Sequence, residues 1–183
     1  PVFLLGHSAG GVVCSLYALD HSEEIAGVVC EDFAFELPAP DFALAVLKGV
    51  SHVAPHAHAL TLKNSEFSRD AAVVDAMNGD PLIAHESQPF ATAAAIVRAD
   101  ERLKAEFRKI RTPIFIIHGA ADKAAKPSGS EHFYERVGSP DKALKLYEHR
   151  YHDPLNDLGK EEVMADILAW LGERTAQARN PTH

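Results

Sequence analysis

Only two of the 183 residues are cysteine, Cys14 and Cys30, each among apolar neighbours, which excludes a disulfide framework and a C-x-x-C metal pairing. Both read as small buried hydrophobes. Basic residues are also scarce. Eighteen Lys and Arg stand against 26 Asp and Glu, and the net charge of −8 repels phosphate backbones, giving nucleic acid or an anionic membrane no electrostatic hold. No run approaches the roughly 18 apolar residues of a membrane span, and no basic segment precedes an apolar core as in a signal peptide. The cytoplasm is therefore the default expectation. Repeats and low-complexity tracts are absent too, and nothing in the sequence specifies an oligomeric state. What is plentiful is apolar side chain, 46% of residues, enough at this length to bury the core of one domain.

The apolar residues fall into alternating patterns. Val2 to Leu5 is short, apolar on both faces and followed at once by Gly6, as a central parallel strand entering a turn should be. Gly10 and Gly11 then give way to Val12, Leu16 and Leu19 at helical spacing. Further buried strands fit Gly27 to Glu31, Ile114 to Ile117 and Ala143 to Tyr147. Ser128 with Glu131 three residues on reads as a capping box opening a helix through Phe133 and Val137. A last helix over 159–172 puts Val163, Ile167, Trp170 and Leu171 on one face, and the tail beyond Gly172 reads as frayed. Strands alternating with helices predict a parallel sheet with right-handed crossovers, an α/β fold. Residues 36–108 break the alternation with Pro38, Pro40, Pro55, Pro81 and Pro89 and show no strong strand. They read as a mainly helical cap inserted into a core made of 1–35 and 109–183.

Gly6-His7-Ser8-Ala9-Gly10 satisfies G-x-S-x-G directly after a strand and directly before a helix, the context in which that motif is a nucleophile elbow. The turn forces strained backbone angles and close approach of helix to strand, which is the reason for its glycines. The serine oxygen projects above the sheet, where the helix N-terminus and the Ala9 N–H can stabilise an oxyanion. A serine attacks only when a base takes its proton, so a histidine and an acid that orients it are required. Asp122 follows the strand Ile114 to Ile117, and His152 follows Ala143 to Tyr147. Both therefore belong at the C-terminal edge of a parallel sheet, the rim where active sites of open α/β sheets lie.

Three stretches carry a resemblance: Gly6-His7-Ser8-Ala9-Gly10-Gly11, then Ile117-His118-Gly119-Ala120-Ala121-Asp122 with Pro127 beyond, then Tyr147-Glu148 leading to His152-Asp153. They resemble the α/β-hydrolase branch that contains monoacylglycerol lipases and bacterial lysophospholipases. Phe67-Ser68-Arg69-Asp70 and Asn78-Gly79-Asp80-Pro81-Leu82 are similar to that branch's cap. The resemblance spans the chain and implies hydrolysis of carboxylic esters of long acyl chains without metal or organic cofactor. It makes Ser8 the nucleophile, Asp122 the orienting acid, His152 the general base and Ala9 the donor of one oxyanion N–H. The implied partner is a lipid ester, with transient membrane contact through the cap. His149 departs from the glycine usual in relatives after the Tyr-Glu pair. The resemblance also implies strands ahead of the nucleophile strand that carry a second oxyanion donor. This sequence opens at the nucleophile strand, so the expectation is a C-terminal part with an unpaired edge along Pro1 to Leu5. Such a chain is expected to be poorly soluble or inactive alone, since losing one donor costs about 10² to 10³ in rate.

Other features have plainer readings. His52, His56 and His58 are close enough to suggest a metal, but Pro55 interrupts them and no carboxylate or cysteine completes the set, so no metal is expected. Glu31 and Asp32 end a strand near the same rim and read as exposed carboxylates that could tune it. Phe42 to Leu47 reads chiefly as packing of the cap onto the body, with an acyl-chain wall or membrane-contacting face as the alternative. The same constellation of residues would serve a serine aminopeptidase, and a hydrolase-like binding protein without turnover is the reading from another class.

Overall fold

A computed structural model describes residues 1–36, 39–83 and 87–179. In chain order the elements are β1 (Phe3–His7), α1 (Ala9–Asp20), β2 (Gly27–Glu31), α2 (Asp41–Val53), β3 (His58–Leu60) and α3 (Ala71–Gly79), then β4 (Gln88–Pro89), α4 (Phe90–Glu106), β5 (Ile114–Gly119), α5 (Pro127–Arg136), β6 (Lys142–Tyr147) and α6 (Lys160–Arg179). Four strands form one sheet in the order β1-β2-β5-β6, every pairing parallel. The two inner strands, β2 and β5, are buried at every position, which explains why they read as unbroken apolar runs. β1 is the end strand of this order, and its Leu5 is 49% exposed.

Side chains alternate across the sheet and build two cores. Val28, Cys30, Ile114 and Ile116 pack with Val12 of α1 and Phe133 of α5 on one face. Val29, Phe115 and Ile117 meet Val163, Ile167 and Trp170 of α6 on the other. Register brings His7 beside Glu31, and Glu31 beside Ile117, so the residues that follow each strand emerge at one rim. Leu103 of α4 and the following Phe107 and Ile110 join the first core, so the end of the long insertion is anchored in the body.

Segment 36–108 holds helices α2, α3 and α4 with one short antiparallel ribbon, β3 with β4, too brief to leave a periodic signature. Three sequence expectations need correction. Helix α5 starts two residues earlier than the capping box implied. Pro127 takes the first helical position, Lys126 is the cap, and no side chain caps the end. Helix α6 runs through Gly172 to Arg179 instead of fraying there. On α2, Phe42 and Val46 face outward, 74% and 61% exposed, so only part of the 42–47 run packs inward. Pro38, Asn180 and Pro181 lie outside the described residues.

Candidate active site

The chain turns from β1 into α1 at Ser8, whose φ of 53° and ψ of −120° place a non-glycine residue in left-handed space. Its N–H donates to the Glu31 carbonyl at 2.8 Å, and its carbonyl accepts from Gly11 at 3.0 Å and Ala34 at 3.2 Å, fixing the turn. At Gly6 a Cβ would run into the Gly10 carbonyl and lie 2.7 Å from the Gly11 nitrogen, so only hydrogen fits. Around Gly10 the corresponding space is open. The close-approach argument therefore holds for Gly6 and not for Gly10.

Ser8, His152 and Asp122 come together at the sheet rim. The Ser8 Oγ lies 2.9 Å from His152 Nε2, and His152 Nδ1 lies 2.7 Å from Asp122 Oδ2. With Nδ1–H donating to the carboxylate, Nε2 is left to accept the serine proton. Asp122 Oδ1 accepts from the Ala124 and Ala125 N–H groups at 2.7 and 3.1 Å. A fourth donor was not foreseen from sequence: His118 Nε2 reaches Asp122 Oδ2 at 3.0 Å, while its Nδ1 faces Ser130 Oγ at 2.7 Å. Burial pushes the Asp122 carboxyl up, but the bonds from His118 and His152 outweigh it and hold its pKa well below the usual carboxylate range. His7 donates from Nε2 to the His152 carbonyl at 2.8 Å, and burial lowers its pKa and keeps it neutral.

The loop carrying His152 is tied to residues 66–69. His152 N–H donates to the Glu66 carbonyl at 3.4 Å and Asp153 N–H to that of Phe67 at 2.9 Å. Asp157, its side chain fully buried, accepts from Tyr151 N–H at 3.0 Å, Arg69 N–H at 2.8 Å and Arg69 Nε at 2.9 Å. Asp157→Ala leaves Arg69 with the Leu158 carbonyl but no carboxylate, and strips the Tyr151, Arg69 and Leu158 N–H groups of this acceptor, so a loss of about 3 kcal/mol in urea unfolding is expected.

Glu31 and Asp32 are buried, not the exposed strand-end carboxylates expected. Glu31 accepts the Leu155 N–H at 2.9 Å, and burial pushes its pKa up to about 8. Between the ordinary value of 4.5 and about 8 the unfolded chain gives up this proton while the folded chain keeps it. Stability from this group must fall as pH rises through that window, by up to about 1.4 kcal/mol per pH unit. Unfolding midpoints measured between pH 5 and 8 should flatten in Glu31→Gln.

A cavity of about 740 Å³ opens above Ser8 and His152, with Ala9 on its wall. Leu62, Phe67, Met77, Ile83 and Ile96 give it an apolar lining, while Lys123 and Asp153 are its charged residues. Among the described residues, Asp32, Asp122 and His152 are the one group whose candidate ligand atoms lie within 4.8 Å of one another. His152 Nδ1 in that group is committed to Asp122. His52, His56 and His58 do not form such a group.

Residues 1–159 match the family described as serine aminopeptidase, S33. The chain is 31% identical to the monoglyceride lipase of Homo sapiens, the match covering 97% of this chain and 60% of that protein. It is 28% identical to the monoacylglycerol lipase of Mycolicibacterium smegmatis, over 93% of this chain and 62% of that protein. Two solved structures superpose well. The monoacylglycerol lipase of Paleococcus ferrophilus gives a TM-score of 0.86 at 28% identity, covering 94% of this chain and 68% of that one. A soluble variant of Saccharomyces cerevisiae monoglyceride lipase in complex with a substrate analog gives 0.84 at 26% identity, covering 95% and 62%. The chain thus spans about 60% of the length of these two curated relatives.

Proposed function

Because the chain belongs to the serine aminopeptidase S33 family and has the α/β-hydrolase fold, we propose that it is the catalytic part of a serine carboxylic-ester hydrolase acting on lipid esters, monoacylglycerol or lysophospholipid. One observation carries this reading: Ser8 Oγ, His152 Nε2 and Asp122 Oδ2 are linked by short hydrogen bonds at the mouth of an apolar cavity.

Ser8 Oγ attacks the ester carbonyl as His152 Nε2 takes its proton, and the imidazolium is balanced by the Asp122 carboxylate. The Ala9 N–H, at the N-terminus of α1, faces the developing oxyanion. Collapse expels the alcohol, which takes the proton from His152. Water activated by the same imidazole then releases the fatty acid from Ser8. These steps use side chains and backbone alone, with no cofactor. Residues 36–108 act as the cap, their apolar side chains accepting the acyl chain, and 1–35 with 109–183 act as the core. The one carboxylate in the cavity, Asp153, is the feature that would serve a substrate amine in the aminopeptidase reading. The larger apolar lining favours lipid.

A fluorophosphonate probe should label Ser8 in the full protein and fail on Ser8→Ala. Unchanged labelling of that variant would refute the nucleophile and support the non-catalytic reading. Release of fatty acid from monoacylglycerol and lysophospholipid, set against release from an aminoacyl amide, ranks the substrates.

No helix among the described residues is long and apolar enough to cross a membrane. Phe42, Val46 and Val53 share the outer face of α2, all more than 60% exposed, and this face is read as a transient membrane contact of a cytoplasmic protein. Phe42→Ser with Val46→Ser should lower sedimentation with neutral phosphatidylcholine vesicles about 10-fold, since burying two such side chains is worth roughly 1.5 kcal/mol or more.

A further inference from the structure

Asp32 is a buried ionisable group at the rim that the mechanism above leaves idle, and it lies closer to the triad than Glu31, which is tied to the Leu155 N–H. It follows β2, is 0% exposed, and sits at a φ of 41°, where a side chain is strained. Its Oδ1 accepts the Gly119 N–H at 3.0 Å, and its Oδ2 is buried without a hydrogen-bond partner among the described residues. A carboxyl held there has lost its water and regained one bond. Asparagine would accept from Gly119 equally well and tolerates left-handed backbone as readily. Anchoring β5 therefore does not account for an acid at this position.

What an acid adds is a charge it can take up. Ligand atoms of Asp32, Asp122 and His152 lie within 4.8 Å of one another, and His118 Nε2 is 3.0 Å from Asp122 Oδ2 and 3.8 Å from Asp32 Oδ1. Two carboxyls this close do not both ionise readily. Asp122 holds the charge because it accepts from two imidazoles and two backbone N–H groups, where Asp32 accepts from one. The ionisable groups facing Asp32 are Glu31 on its own strand, His118 of β5, Asp122 beyond β5 and His152 beyond β6.

We propose that Asp32 is a second acid of this site, a positioning residue held neutral beside Asp122, whose carboxylate balances the His152 imidazolium when the charge on Asp122 is lost. This rests on the serine-hydrolase reading. In that state Asp32 has released its proton to solvent, and the proton taken from Ser8 Oγ stays on His152 Nε2 until the leaving alcohol accepts it, so no further reactant is needed. Burial raises the Asp32 pKa and continues to do so once the neighbouring charge is gone. The acid limb of activity therefore sits at higher pH when Asp32 is the working acid.

The test is a double-mutant cycle in the full protein with Asp32→Asn, Asp122→Asn and both, following p-nitrophenyl ester turnover from pH 5 to 9 and, in parallel, the rate of fluorophosphonate labelling at Ser8. Asp32→Asn is expected to cost about 10-fold more in the Asp122→Asn background than in wild type. The acid limb of Asp122→Asn should lie above that of wild type, and the double variant should lose that upward displacement, keeping only the limb that protonation of the base itself imposes. Additive effects, or the same acid limb in Asp122→Asn and the double variant, overturn the proposal. If Asp122→Asn does not fold, Asp122→Ala supplies the background for the same comparison. Wild type that labels but does not turn over the ester counts against the substrate reading, and the cycle is then decided on labelling rates.

Discussion

Ser8→Ala is expected to lower kcat for ester hydrolysis by at least about 10⁴-fold, because the remaining imidazole and oxyanion donor supply polarisation but no acyl acceptor. The loss should fall on kcat, with KM little changed, since the hydroxyl adds little to binding of an apolar chain. A companion measurement follows from the backbone. Ser8 holds a φ of 53°, and alanine inherits the same strain. Ser8→Gly relieves strain of the order of 1–3 kcal/mol and loses part of that to the greater freedom of the unfolded chain, so it should unfold about 1 kcal/mol later than Ser8→Ala. Equal stability of the two variants would show that the elbow is not strained, whatever the activity does.

Gly119→Ala should damage activity less than Ser8→Ala but be far worse for stability. A Cβ there drives into the Tyr151 and Arg150 carbonyls, which are backbone and cannot swing aside. The loop carrying His152 has to move outward, while Gly119 itself orients Asp32 through its N–H and Asp122 through its carbonyl. A shift of about 1 Å in the base costs on the order of 10² in rate. Overpacking against backbone should cost about 3 kcal/mol in urea unfolding. Gly172→Ala is the control. It lies in α6 with open space around it, and the extra methyl should stabilise the protein by about 0.5–1 kcal/mol.

The sequence revealed what repeats locally and concealed what depends on contacts between distant segments. β2 and β5 were legible because strands buried on both faces must be apolar throughout, and the elbow because a strand, a tight turn and a helix follow within a dozen residues. Order along the chain and position after each strand were enough to nominate Asp122 and His152. His118 stands out in the sequence only as part of a motif, because nothing local says that its ring turns toward Asp122 instead of packing in the core. The tie from Asp157 to Arg69 bridges 88 residues and leaves no periodic trace. Glu31 and Asp32 were read as exposed because strand-end carboxylates usually are, a rule of composition that Gly119 and Leu155 override by supplying N–H donors. Gly172 and Ser128 misled for a related reason. Each is a common terminus signal, and tertiary packing carried the helix across both.

The hydrogen bond between Ser8 and His152 joins residues 144 apart in sequence. A contact of that span closes almost the whole chain into a loop, and its entropic cost is recovered only once the strands between are paired. Helices and the β1–β2 pair can form early from nearby residues, but the nucleophile meets its base only when β5 and β6 have been added in register. Regained reactivity at Ser8 therefore reports that the last strand has docked.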